Sequence, residues 1–161
     1  MCLDACIEKL DKFLRVFLAV MMALLVVDVT WQVLTRFILP QPSSFTEEVA
    51  RFLLIWVSLI GAAYAYRLNS HLGFDLLVKK LPVSEALFYY RLCCLLVVIF
   101  AISVLIIGGC NLVYLTWSLG QSSPVLNIPM AFIYSVVPFS GCLFTLYSGI
   151  FFKQASNAIA E

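Results

Sequence analysis

The stretch "SSFTEEVARFLLIW", Ser43 to Trp56, sets two carboxylates, Glu47 and Glu48, and one guanidinium, Arg51, at the mouth of an apolar run that stays uncharged to Tyr66. Ser44 and Glu47 have the S-x-x-E spacing of a capping box. In that motif the serine accepts from first-turn N–H groups and the glutamate reaches back to the cap N–H. Carboxylates in a first turn also suit the positive end of the helix dipole. Arg51 lies four residues after Glu47 and three after Glu48, so it shares their face. Arg36 arrives at the same boundary from the preceding run. One reading is a capped helix start with its own neutralising arginine. The other starts from depth: Arg51 stands two turns inside the helix, where such residues face protein or water rather than lipid. On that reading Glu48, Arg51 and Arg36 meet a partner protein near the outer membrane surface.

Asp28 is the sharper case. It lies near the middle of the first apolar run, in "LLVVDVTWQV". A lone ionised carboxylate there costs several kcal/mol unless it is paired or protonated. Gln32 and Thr35 follow at four and seven residues, making a polar stripe on one face. Three roles are open: pairing with Arg51 or hydrogen bonding within the bundle, facing a partner subunit, or relaying an ion or proton. A relay needs further ionisable groups at the same depth, and the other runs supply none. In "YRLNSHLGFDLLVKKLP", Arg67, His71 and Asp75 stand at successive four-residue steps. A polar connection with a short interfacial helix from Leu76 to Leu81 accounts for them, with His71 as a hydrogen-bonding residue rather than a ligand.

The six cysteines, Cys2, Cys6, Cys93, Cys94, Cys110 and Cys142, form no C-x-x-C pair. They fall in apolar runs or near the basic side, as small packing residues do. That counts against a quinone-linked disulfide-forming enzyme, which needs paired cysteines on the oxidising side. The single histidine counts against an intramembrane bis-histidine haem. No nucleophile–base pair and no zinc-ligand spacing occurs. The chain is therefore read as neither an enzyme nor a carrier of a metal or cofactor.

What must position these residues is membrane helix. The chain is 63% hydrophobic and 12% charged, with mean hydropathy +1.04. A soluble domain has about twice that share of charge. A span needs roughly 20 mostly apolar residues, and four segments qualify: about 13–39, 45–66, 92–117 and 129–152. They make one all-α membrane domain over 1–161. The third and fourth are divided by the turn chemistry of "SLGQSSPVLNIP". Asn127 can cap the fourth helix, Pro129 suits its first turn, and Pro138 should kink it. The segment at about 2–12 has apolar residues at helical spacing between charges. It reads as an amphipathic interfacial helix, or else as a solvated extension of the first span. No cleavage site follows the first span, which is expected to be retained.

Lysine and arginine counts give the orientation. Lys9, Lys12, Arg15, Arg67, Lys79, Lys80, Arg91 and Lys153 fall on one side, against Arg36 and Arg51 on the other. Both termini and the middle connection are expected in the cytoplasm. A net charge of +1 with no basic, aromatic-interleaved patch implies no nucleic-acid partner. Membrane lipids are an expected partner.

Taken in order, "RFILPQPSSFTEEVARFLLIW", "IGAAYAYRLNSHLGFDLL", a weakly marked third helix and "SPVLNIPMAFIYSVVPFSG" resemble the small membrane subunit of tripartite ATP-independent periplasmic (TRAP) transporters, the DctQ type. The likeness covers roughly Phe13 to Phe152. It implies a bacterial inner-membrane scaffold subunit that binds a large M-type membrane subunit carrying the substrate and sodium sites. It also implies a periplasmic substrate-binding protein that delivers an organic acid. Asp28, Arg36, Glu47, Glu48, Arg51, Arg67, His71 and Asp75 are then candidates for subunit interfaces or internal polar packing. The residues themselves agree: four spans with one midplane charge and no inverted repeat make a poor autonomous transporter. A small self-sufficient carrier or channel is the alternative function, and a membrane oxidoreductase a weaker one. The transported acid is not legible in the chain.

Overall fold

A computed structural model of the chain describes the backbone of residues 2–38, 44–68 and 83–157, and the side chains of 7–38, 44–68 and 91–152. His71, Asp75 and the short helix expected near them lie outside the described residues.

Helix α1 runs unbroken over Cys2–Ile38. No glycine or proline interrupts those residues, and Pro40 follows. At 1.5 Å per residue its 37 residues span about 55 Å, well beyond a hydrocarbon core of about 30 Å. The N-terminal stretch is thus not a separate helix at the interface; it continues the first span. Helix α2 covers Ser44–Arg67. The third span is built from α3, Val83–Phe100, an eight-residue π-helical stretch, Ala101–Gly108, and α4, Gly109–Ser118. The fourth comprises a short α5, Met130–Tyr134, and α6, Val136–Asn157. Among the described residues, four segments are long and apolar enough to cross a membrane: Ile7–Ile38, Ser44–Arg67, Arg91–Ser118 and Met130–Phe152.

The break between α5 and α6 falls at Ser135, where the expected kink belongs. Pro138 brings no N–H, and its ring crowds the carbonyl four residues earlier, that of Tyr134. The chain bridges the gap with Ser135 N–H to Ala131 O at 3.0 Å and Phe139 N–H to Ser135 O at 3.3 Å. Asn127 does not cap the fourth helix. It takes φ +53° in the preceding turn, a conformation asparagine tolerates. Pro129 occupies the cap position.

The helices form an open row rather than a closed four-helix bundle. Among the described residues, by backbone proximity α1 lies on α2 alone, α2 on α6, and α6 on α3 and the π-helical stretch. From Leu18 onward the residues of α1 that are buried or half-buried are Leu18, Met21, Leu25, Asp28, Gln32 and Thr35. Those alternating steps of three and four are the seam of two helices crossing at a shallow angle. The core gathers where the row closes up: Leu14, Ile60, Ala63, Cys94, Val136, Leu143, Tyr147 and Phe151. Half of it comes from α6.

Two glycines permit the closest helix approach. A Cβ on Gly141 would stand 2.8 Å from Leu105 Cβ, 2.9 Å from Ile106 Cγ1 and 3.2 Å from the Ile106 nitrogen. One on Gly109 would stand 2.9 Å from Pro138 Cδ and 3.0 Å from its nitrogen. Small residues at such crossings let membrane helices gain van der Waals contact that lipid cannot supply. The π-helical stretch sits against Gly141. No residue type in it distinguishes it from the α-helix expected there.

Candidate functional site

Three polar constellations stand out, one at each end of the row and one between. At the end where α2 begins, Glu48 turns inward and is 9% exposed. One of its oxygens, Oε2, accepts from the backbone N–H of Leu126 at 2.9 Å and of Val125 at 3.2 Å. Those amides belong to the turn between the third and fourth spans. The turn also closes on itself: Ser123 N–H donates to Ile128 O, Asn127 N–H to Ser123 O, and Leu126 N–H to Ser123 Oγ. Ser123 is fully buried. Pro124 fixes φ at the start of the turn. A single carboxylate on α2 therefore pins the loop that enters the fourth span.

Glu47 and Arg51 do something different. Arg51 donates to Glu47 Oε1 at 3.3 Å, with side chains 67% and 62% exposed. This is the ordinary i,i+4 pair on a helix face. The capping box expected of Ser44 and Glu47 is not seen among the described residues; α2 begins at Ser44 itself, and Glu47 engages Arg51. Glu48 and Arg51 form no ion pair with each other: Glu48 bonds the turn of its own chain, and Arg51 bonds Glu47.

At the opposite end, Asp11 of α1 joins three helices. Arg67 Nε donates to Asp11 Oδ2 at 3.2 Å, and the Tyr147 hydroxyl donates to Asp11 Oδ1 at 2.8 Å. The Arg67 guanidinium lies 5.9 Å from the ring centres of both Tyr147 and Phe151, within cation–π range. Tyr66 and Ser148 share a hydrogen bond of 2.9 Å, and the Tyr66 hydroxyl approaches Cys94 Sγ at 3.9 Å. This lock ties α1, α2, α3 and α6 at one level. Arg67 was a candidate from the sequence; Asp11 and Tyr147 were not. The signal that could have found Asp11 is its place on the same seam, three residues before Leu14 and seven before Leu18.

Between the two ends lies Asp28. Its Oδ2 is fully buried and has no hydrogen-bond partner. The antiparallel register is fixed by Asp11 opposite Arg67 and by Leu18, whose Cδ2 lies 3.9 Å from where a Gly61 Cβ would be. Carried ten residues on from Leu18, it brings Asp28 level with Arg51. The expected pairing of the two is nevertheless absent, because Arg51 turns away to Glu47. Thr35 is buried and bonds its own helix at Gln32 O, 2.9 Å. Arg36, in the last turn of α1, is exposed.

No grouping of histidine, cysteine and carboxylate residues among the described residues could hold a metal ion. The cysteines described are free, Cys94 buried and Cys110 and Cys142 on the apolar surface. The geometry is that of a row of helices whose polar groups lock its ends, four segments of it long and apolar enough to cross a membrane. The comparisons then fix the family. A family model for the tripartite ATP-independent periplasmic transporters, DctQ component, matches residues 25–156, and the chain belongs to that family. It is 28% identical over 156 residues to a putative TRAP transporter small permease protein of Haemophilus influenzae, covering 89% of this chain and 91% of that one. It is 39% identical over 67 residues to the sialic acid TRAP transporter small permease protein SiaQ of Vibrio cholerae, a match spanning 42% of this chain and 39% of the relative. An isethionate TRAP transporter permease protein of Oleidesulfovibrio alaskensis, named DctMQ, matches at 28% over 135 residues, which is 80% of this chain and 21% of that protein. The chain is thus a multi-pass inner-membrane permease subunit of a TRAP transporter, not an enzyme. Subunits of this kind work with M subunits.

Proposed function

We propose that this chain is the scaffold half of a sodium-coupled importer of an organic acid, which a periplasmic binding protein delivers to the large M-type subunit. The observation that carries this reading is the open row. Among the described residues, four helices side by side expose two broad apolar faces and show no polar path of their own, while Glu48, Asp11, Arg67 and Tyr147 hold the row together. Such a slab widens and anchors a moving partner; it offers a solute nothing to cross by. The relatives' names favour an organic acid: sialic acid in one, isethionate in another, and C4-dicarboxylate for a small permease protein of Rhodobacter capsulatus, 27% identical over 99 residues. The Asp11 end, rich in lysine and arginine, is assigned to the cytoplasm, and the Glu48 loop to the periplasm.

The test is reconstitution. Proteoliposomes holding this chain, the large subunit and the binding protein should take up the acid only with all three present and an inward sodium gradient. Uptake by this chain alone would overturn the scaffold role. For orientation, Ser122→Cys in a cysteine-free background should react with an impermeant thiol reagent added outside. Reaction only after permeabilisation would invert the assignment.

A further inference from the structure

Within the spans, hydroxyl groups look after themselves. Thr30 donates to Val26 O, Ser58 to Ile55 O, Ser103 to Ile99 O and Ser118 to Leu115 O, each within its own helix. Asp28 has no such recourse, because an ionised carboxylate only accepts and the N–H groups of its turn are engaged in the helix. It is half-buried on the stripe of α1 that packs on α2, with Oδ2 enclosed and part of the residue still accessible. Leu24 and Trp31, four residues before and three after, are 50% and 59% exposed. Gln32, one turn further on, is also half-buried and adds an amide.

We propose that this edge of α1 is covered, in the assembled transporter, by a transmembrane helix of the large subunit that brings a hydrogen-bond donor to Asp28: an amide, a hydroxyl or a cationic side chain. The proposal rests on the assembly argued above. Lipid is a poor occupant. Its tails offer no donor, and Asp28 lies ten residues, about 15 Å, inside the end of α1 at Ile38. A second copy of this chain is a poor occupant too. A two-fold contact through this edge would bring two Asp28 carboxylates together at one depth. A large membrane subunit has the required length and is the established kind of partner. The relative whose name unites M and Q supports close apposition of the two membrane parts.

The experiment co-expresses the tagged chain with its large subunit and measures recovery of the large subunit in mild detergent. Asp28→Asn, which keeps an acceptor, should recover it within about twofold of wild type. Asp28→Leu, which suits lipid better, should lower recovery about tenfold while the chain alone stays monomeric and helical. A photo-reactive residue at Leu24, with Asp28 intact, should capture the large subunit. Undiminished recovery with Asp28→Leu, or capture only of lipid or of a second copy, overturns the proposal while leaving the assembly standing. Failure of the wild-type chain to recover any large subunit overturns the assembly itself, and the proposal with it.

Discussion

Replacing Gly141 by alanine adds one methyl group to α6 and should destabilise the chain more than its size suggests. The new carbon would stand 2.8 Å from Leu105 Cβ, 2.9 Å from Ile106 Cγ1 and 3.2 Å from the Ile106 nitrogen. Two of those atoms cannot swing away, because one is backbone and the other is fixed directly to it. The helices must part by several tenths of an ångström, loosening the contact between α6 and the π-helical stretch. Overpacking of this kind costs typically 1–3 kcal/mol, and the lack of a yielding side chain places it at about 2–3. For a chain of this length each kcal/mol moves Tm by about 2–4 °C, so a fall of about 4–12 °C is expected. Gly149 is the internal control, on the same helix with nothing within 4 Å of its added carbon. There alanine removes glycine's helix penalty of about 1 kcal/mol and should leave Tm unchanged or slightly raised. The assay is thermal unfolding of the purified chain in one detergent, followed by a dye that reacts with buried thiols, Cys94 among them. If Gly141→Ala and Gly149→Ala melt together, the close approach of α6 to the third span is wrong.

The Asp11 lock should respond in graded steps. Tyr147→Phe removes one hydrogen bond and should cost about 1–2 kcal/mol, whereas Tyr147→Ala also opens a cavity and should cost about 3–5 kcal/mol, both read from the same melting curves. Glu48→Ala should release the loop: the amides of Val125 and Leu126 should exchange hydrogen at least tenfold faster by mass spectrometry, and Glu47→Ala should leave them unchanged. Arg51→Ala should change the stability of the isolated chain by less than about 1 kcal/mol, as exposed pairs do.

The four spans and the kink at Pro138 were legible because each rests on something local: a run long enough to cross, or a missing N–H. Neighbour relations were not. Every span is apolar on most of its circumference, so nothing in the pattern shows which face meets which helix. Glu48 illustrates the gap. Its spacing to Arg51 suggested a shared task, but its target lies 77 and 78 residues further along the chain, in a turn whose free amides no motif announces. Asp11 was hidden in another way. Surrounded by Glu8, Lys9, Lys12 and Arg15, it looked like one more solvated charge, and only the unbroken α1 places it on the inward seam. Asp28, by contrast, was conspicuous from the outset, because a carboxylate among "LLVV" residues violates the local pattern wherever the neighbours lie.

The row also has a direction in time. A ribosome delivers α1 and α2 first, and these can pair as a hairpin as soon as both are inserted. The third span comes next, yet its packing is mostly on α5 and α6, and it meets the hairpin at little more than the Tyr66–Cys94 contact. It must wait in the bilayer, loosely held, until the fourth span emerges and bridges the two halves. Only then do Tyr147 meet Asp11, Ser148 meet Tyr66, and Gly141 seat itself against Ile106. A nascent chain arrested before Met130 should therefore expose a poorly held third helix to insertase and membrane protease, and maturation of this subunit should wait on synthesis of the fourth span.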